Sequence, residues 1–188
     1  MNLEWLQGYD PIIFVVVWGL VLAIGGAWAT DIGEWYKNLK QPKWKPPDWV
    51  FGPMWTTIFI CAGIAFVNAC DHAPDDAAIY WLVILYIVNG LFNLMWSVMY
   101  FHMRRPDWAL IESIGLWLSV LAIMVAPLAY SSISSLLIAP YLIWVTVALY
   151  LNWTNVKLNG PFGKQRFWAD DEKSKANNSV QANSHSQG

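Results

Sequence analysis

The sequence predicts an all-α membrane protein, a bundle of five transmembrane helices, on three observations. Of 188 residues, 57% are hydrophobic and 13% charged, whereas an ordinary soluble domain carries about 25% charged residues to cover its water-facing surface. Five apolar stretches come close to the roughly 20 residues that cross a hydrocarbon core. If each of them crosses, all 11 Lys and Arg fall on one side, as expected of cytoplasmic loops.

Residues 11–30 form the first span and carry no charge. The segment before it holds Glu4 and Asp10 but no Lys or Arg, and its apolar run is longer than a signal-peptide core, so it is expected to be retained as a helix. Residues 53–70 are slightly short and uncharged, residues 77–101 long and uncharged, and residues 108–130 contain one acid, Glu112. The fifth span, residues 133–156, is uncharged and includes Pro140. These make one five-helix domain over residues 1–160, followed at 161–188 by a polar tail whose Asn, Ser, Gln and charge offer no apolar face to order it.

Lys37, Lys40, Lys43 and Lys45 follow the first span, Arg104 and Arg105 the third, and the remaining basic residues the fifth. The opposite side has the acidic loop 71–76 and a turn around Ser131 and Ser132, with no Lys or Arg. An odd number of spans follows, with the N-terminus outside and the C-terminus cytoplasmic. A net charge of −2 leaves no basic footprint for nucleic acid. Cys61 and Cys70, nine positions apart on one helix, point to opposite faces roughly 13 Å apart along the axis, beyond disulfide reach.

No catalytic signature stands out. His72, His102 and His185 are scattered outside the predicted spans, and neither metal-ligand spacing nor a phosphate-cradling glycine loop occurs. What remains is polar and aromatic residues within the spans. Asn89, Asn93, Trp96 and Tyr100 fall on one face of the third span, and Tyr141, Trp144, Ala148, Asn152 and Asn155 on one face of the fifth. Such amides either bond between helices or meet a ligand; two stripes together with an aromatic loop favour a pocket. The loop 31–52 carries Trp35, Tyr36, Trp44, Trp49 and Phe51 among Pro42, Pro46 and Pro47. These rings form either an interfacial belt or a cover held by prolines over a cavity, and Trp44 and Trp49 are expected in the cover. Gly19, Ala23 and Ala27, and likewise Cys61, Ala65 and Ala69, follow the small-xxx-small spacing of close helix contacts. Glu112 is either a functional intramembrane acid or a partner of Arg104 or Arg105.

Taken together these residues resemble the TspO/MBR family, the tryptophan-rich sensory proteins and translocator proteins. The run from Trp35-Tyr36 through Leu39, Pro42, Trp44 and Pro46-Pro47 to Trp49 looks like the family's W-Y-x-x-L-x-x-P-x-W-x-P-P loop, followed by Trp55 at the opening of the second span. Asn89, Asn93 and Trp96, then Trp108-Ala109-Leu110 with Glu112, Pro140-Tyr141 with Trp144, and Leu151-Asn152-Trp153 continue the match in order. The resemblance implies a homodimeric five-helix bundle whose cavity, capped by the first loop, binds porphyrins and other bulky aromatic ligands. Trp55, Asn93 and Trp144 would line it, with Asn89, Trp96 and Ala148 beside them and Trp35, Tyr36, Pro47 and Trp49 in or near the cap. No cofactor or metal is required, and the porphyrin, protoporphyrin or haem, is a ligand. The absence of histidine from the predicted spans disfavours His-ligated haem iron. Membrane lipid is the surrounding partner. The sequence departs from a sterol-recognition motif, since Trp153 stands at its tyrosine position and Tyr150 lies one residue too far from Lys157. Three functions stay open: a porphyrin-binding receptor or sensor; a light-dependent porphyrin-degrading enzyme with Trp55 and Trp144 as catalytic candidates; and a small-molecule or sterol transporter.

Overall fold

A computed structural model describes residues 11–162. The five spans are helices α1 (Pro11–Ala29), α3 (Asp48–Asp71), α4 (Asp76–Ser97), α5 (Pro106–Val125) and α6 (Ser132–Asn159), and the short helix α2 (Glu34–Lys37) lies in the first loop. All five long helices are apolar enough to cross a membrane, as sequence length and composition predict. Of the polar tail expected at 161–188, everything from residue 163 on, and with it His185, lies outside the described residues.

The helices close into a ring in the order α1–α3–α6–α5–α4, so α1 is wedged between α3 and α4 and α5 between α4 and α6. One end gathers the first loop, the end of α4, the start of α5 and the end of α6. There the Lys40 backbone N–H donates to Asn159 Oδ1 at 2.7 Å, while Asn159 Nδ2 donates back to the Lys40 carbonyl at 2.9 Å. Arg104 and Asp31, 3.9 Å apart, join the same end. Every described Lys and Arg therefore lies at this loop end. At the far end Asp75 caps α4 by accepting from the Ala78 N–H, and Ser131 caps α6 by accepting from that of Ser134. Asn68 Oδ1 on α3 accepts from the hydroxyls of both Ser131 and Ser134.

The far half is densely packed. Phe66 on α3 contacts the rings of Phe14 and Tyr86 at 4.8 and 4.9 Å between centroids. Tyr86 donates its hydroxyl to the Ala62 carbonyl, and its own carbonyl accepts from Trp18 Nε1, both at 2.9 Å. With no water inside a bilayer to serve polar groups, these bonds let two polar rings sit in the core. Ala65 and Ala69 are buried here as the small-residue spacing predicts. On α1 the same spacing leads elsewhere, because Ala23 and Ala27 face a cavity.

Two helix ends differ from expectation. α3 begins at Asp48, five residues before its predicted start, and takes Pro53 inside. The missing Pro53 N–H costs only the bond to the Trp49 carbonyl, next to the helix end, where the backbone is least constrained. α4 runs on through a π-helical turn, Val98–His102, closed by the Met103 N–H on the Val98 carbonyl at 2.8 Å and followed by Arg104 in the left-handed region at φ 54°. His102 consequently ends a membrane helix and is not a loop residue; its ring stacks on Trp28 at 5.7 Å.

Candidate functional site

A cavity of about 520 Å³ occupies the loop-side half of the ring, well inside the ~300–1,000 Å³ range of small-molecule sites. α3 supplies Phe51, Trp55 and Phe59, one face at four-residue spacing; α4 and its π turn supply Asn93, Trp96, Ser97 and Phe101; α6 supplies Trp144 and Ala148. Against these rings α1 presents Ala23, Gly26 and Ala27 beside Leu22, with Thr30 just past its end, and a Cβ added to Gly26 would meet no atom within 4 Å. The void exists because one wall has almost no side chains. Tyr36 of α2, with Ile32, bounds it on the loop side.

Few polar groups face this space, and they differ in how far they are already satisfied. Trp144 is 8% exposed, and its Nε1–H has no partner. A buried donor without an acceptor costs about 1–3 kcal/mol; this one is itself covered by protein, so it is the indole ring that Trp144 contributes to the cavity wall. Asn93 Nδ2 donates to the Tyr141 hydroxyl at 3.1 Å; that hydroxyl donates in turn to Asn89 Oδ1 at 3.2 Å, and Asn89 Nδ2 donates to Ser119 Oγ at 2.9 Å. Asn93 thus stands at the cavity end of a relay joining α4, α5 and α6. Tyr36 donates to Asp48 at 3.0 Å, and Asp48 pairs with Lys45. Burial and the neighbouring Asp48 carboxylate push the Tyr36 hydroxyl well above its usual pKa, so it stays a protonated donor.

Tyr36, Trp55, Asn93, Trp96, Trp144 and Ala148 are therefore brought together around one space. The other four candidates lie off its wall. Asn89 is fully buried in the relay. Trp35 is buried beneath the loop against Tyr100, 6.2 Å between ring centroids. Pro47 precedes α3, and Trp49, on its first turn, is 74% exposed, because the early start of that helix turns it outward. Trp44, also expected over the pocket, is 43% exposed and stacks on Tyr150 of α6 at 5.1 Å. Glu112 does not meet the expected arginines: Arg105 pairs with Asp107 through two bonds of 2.6 and 2.8 Å, Arg104 lies near Asp31, and neither Glu112 oxygen has a partner. Sequence reasoning missed the Phe51–Trp55–Phe59 face, which its regular spacing could have signalled, and the small residues of α1, whose spacing reads equally well as a helix contact.

The fold and site define a class: a multi-pass membrane protein whose five-helix ring holds a tryptophan-walled cavity bounded by the first loop. More particularly, the chain belongs to the TspO/MBR family, whose model matches residues 12–157. It is 37% identical over 145 residues to the Tryptophan-rich protein TspO of Chlorobaculum tepidum, covering 75% of this chain and 92% of that protein. With the Tryptophan-rich sensory protein of Cereibacter sphaeroides it shares 31% identity over 159 residues, 85% of this chain and 95% of the relative. The human Translocator protein is 30% identical over 122 residues, 64% of this chain and 72% of its own.

Proposed function

We propose that this protein is a membrane receptor for porphyrins, protoporphyrin or haem, that sequesters or senses them. The observation that carries the reading is the cavity of about 520 Å³ bordered by the indoles Trp55, Trp96 and Trp144. A flat, apolar macrocycle gains from burial and from stacking on such rings, and the Asn93 amide offers a bond to its polar edge. Purified protein titrated with protoporphyrin, with Trp fluorescence as the readout, should show saturable quenching. Quenching that rises linearly, without saturation, would reject the reading.

A second reading is light-dependent porphyrin degradation, favoured because Trp55 and Trp144 border the same space and could donate electrons to an excited macrocycle. Product formed in light by wild-type protein but not by Trp55→Phe or Trp144→Phe supports it; identical products without protein reject it. The loop end, carrying every described Lys and Arg, is assigned to the cytoplasm on the positive-inside rule, with the acidic turn 71–76 outside. Cysteine labelling of residues 37–45 and 71–76 from the same side of the membrane would overturn that orientation. The protein is expected to act as a homodimer, measurable by native mass spectrometry.

A further inference from the structure

We propose that the cavity is reached sideways, through a slot between α1 and α3, so that its ligand is a molecule dissolved in the bilayer rather than one captured from water; this rests on the cavity being the ligand site. Four residues that line the cavity, Ala23 and Ala27 on α1 and Gly52 and Thr56 on α3, are also exposed, although the large side chains of the same wall are not. All four are small, and they belong to helices that cross the membrane. The two helices touch elsewhere: Phe14 and Trp18 on α1 meet Phe66 and Phe59 on α3, and a Cβ on Gly63 would lie 3.7 Å from Val15. The other sides of the ring are packed, α3 on α6, α6 on α5, α5 on α4, and α4 on α1, where Trp28 stacks on His102 and a Cβ on Gly25 would lie 2.8 Å from Leu94 Cδ2.

The loop is fastened where a route from water would have to pass. Asn159 of α6 grips the Lys40 backbone through both of its amide atoms. Trp44 stacks on Tyr150, and Tyr36 and Lys45 both bond Asp48. Releasing the loop means breaking these contacts together, whereas Ala23, Ala27, Gly52 and Thr56 make no side-chain hydrogen bond from one helix to the other. The slot's lining also suits the bilayer: Ala23 and Ala27 offer methyl groups, and the Thr56 hydroxyl donates back to the Gly52 carbonyl at 3.0 Å, so it presents no unpaired donor to lipid.

Filling the slot tests the route. A Cβ added at Gly52 meets nothing within 4 Å, so Gly52→Phe should be tolerated, and Ala27→Phe provides a second block from the facing helix. Full-length wild type and both variants are reconstituted in phosphatidylcholine vesicles, protoporphyrin is added, and Trp quenching is followed in time. Both variants should slow association and dissociation by about one decade, the low end of the range over which related complexes differ. In wild type the rate should follow protoporphyrin per lipid, not its bulk aqueous concentration. Unchanged rates in both variants, a rate set by aqueous concentration, or weakened affinity without slower association would each overturn the slot. So would an altered oligomeric state in Ala27→Phe, which would assign this face to a second copy. Failure of wild type to bind protoporphyrin at equilibrium would instead reject the receptor reading, which separates the two failures.

Discussion

The two halves of the ring use the same helices to opposite ends. In the far half α1 sends Phe14 and Trp18 into α3 and α4, where Trp18 meets Phe59 and Tyr86 at 5.7 and 5.3 Å. Two turns along, the same helix offers Ala23, Gly26 and Ala27 to equally large rings on α3 and α6, and a cavity results. Lipid is as apolar as a protein core, so side-chain packing more than water exclusion holds membrane helices together. A cavity is therefore made by withdrawing side chains from one helix, provided the rest of that helix packs well enough to hold it in place.

The largest expected effect breaks the packed half. Phe66→Ala removes a ring that touches two others and should cost about 3 kcal/mol, the low end for such truncations because packing alone is lost. Thermal unfolding in detergent would show it; an unchanged melting temperature would mean that this half is not the anchor. Next comes the open half, where Trp144→Phe shrinks one of the three indoles on the cavity wall. Affinity for protoporphyrin should fall several-fold, about 1 kcal/mol, with no hydrogen bond lost from the free protein, since the Trp144 Nε1–H has no partner there. Calorimetric titration and a melting curve on the same variant check both parts.

A pair of glycines sharpens the contrast. A Cβ on Gly90 would come within 3.0 Å of Trp18 Nε1, which is held by its bond to the Tyr86 carbonyl, while one on Gly26 would meet nothing. Gly90→Ala should therefore destabilise by about 1 kcal/mol through overpacking, whereas Gly26→Ala should gain up to about 1 kcal/mol from helix propensity. Equal shifts in melting temperature would erase the distinction between the halves. The smallest effects lie in the relay. Asn89→Leu and Asn93→Leu should each cost about 0.6 kcal/mol per intramembrane bond lost, but only Asn93→Leu should also weaken protoporphyrin binding, because only Asn93 borders the cavity. Equal affinity losses in both would extend the site to Asn89.

The cavity wall was partly legible because membrane helices keep a strict period. Trp144 and Ala148 share one helix face in the sequence as they do in the structure, and so do Asn93 and Trp96. The same period could not separate Asn89 from Asn93, which lie one turn apart. That was decided by Tyr141, delivered from α6 to a point between them, and by Ser119 of α5 on the far side of Asn89. Nor does the sequence separate the loop rings: Trp35 is buried, while Trp44 and Trp49 are exposed, α3 starting at Asp48 and carrying Trp49 on its first turn.

Composition, span length and the segregation of basic residues determined by themselves that this chain is a five-helix membrane bundle, since the bilayer admits few other ways to satisfy a backbone. The loop motif and the tryptophan stripes determined its family. Only the tertiary structure decided which small residues pack and which leave space. Spacing along one helix does not say what stands opposite: Ala65 and Ala69 lie against neighbouring helices, while Ala23 and Ala27, at the same four-residue interval, face the cavity and its open side.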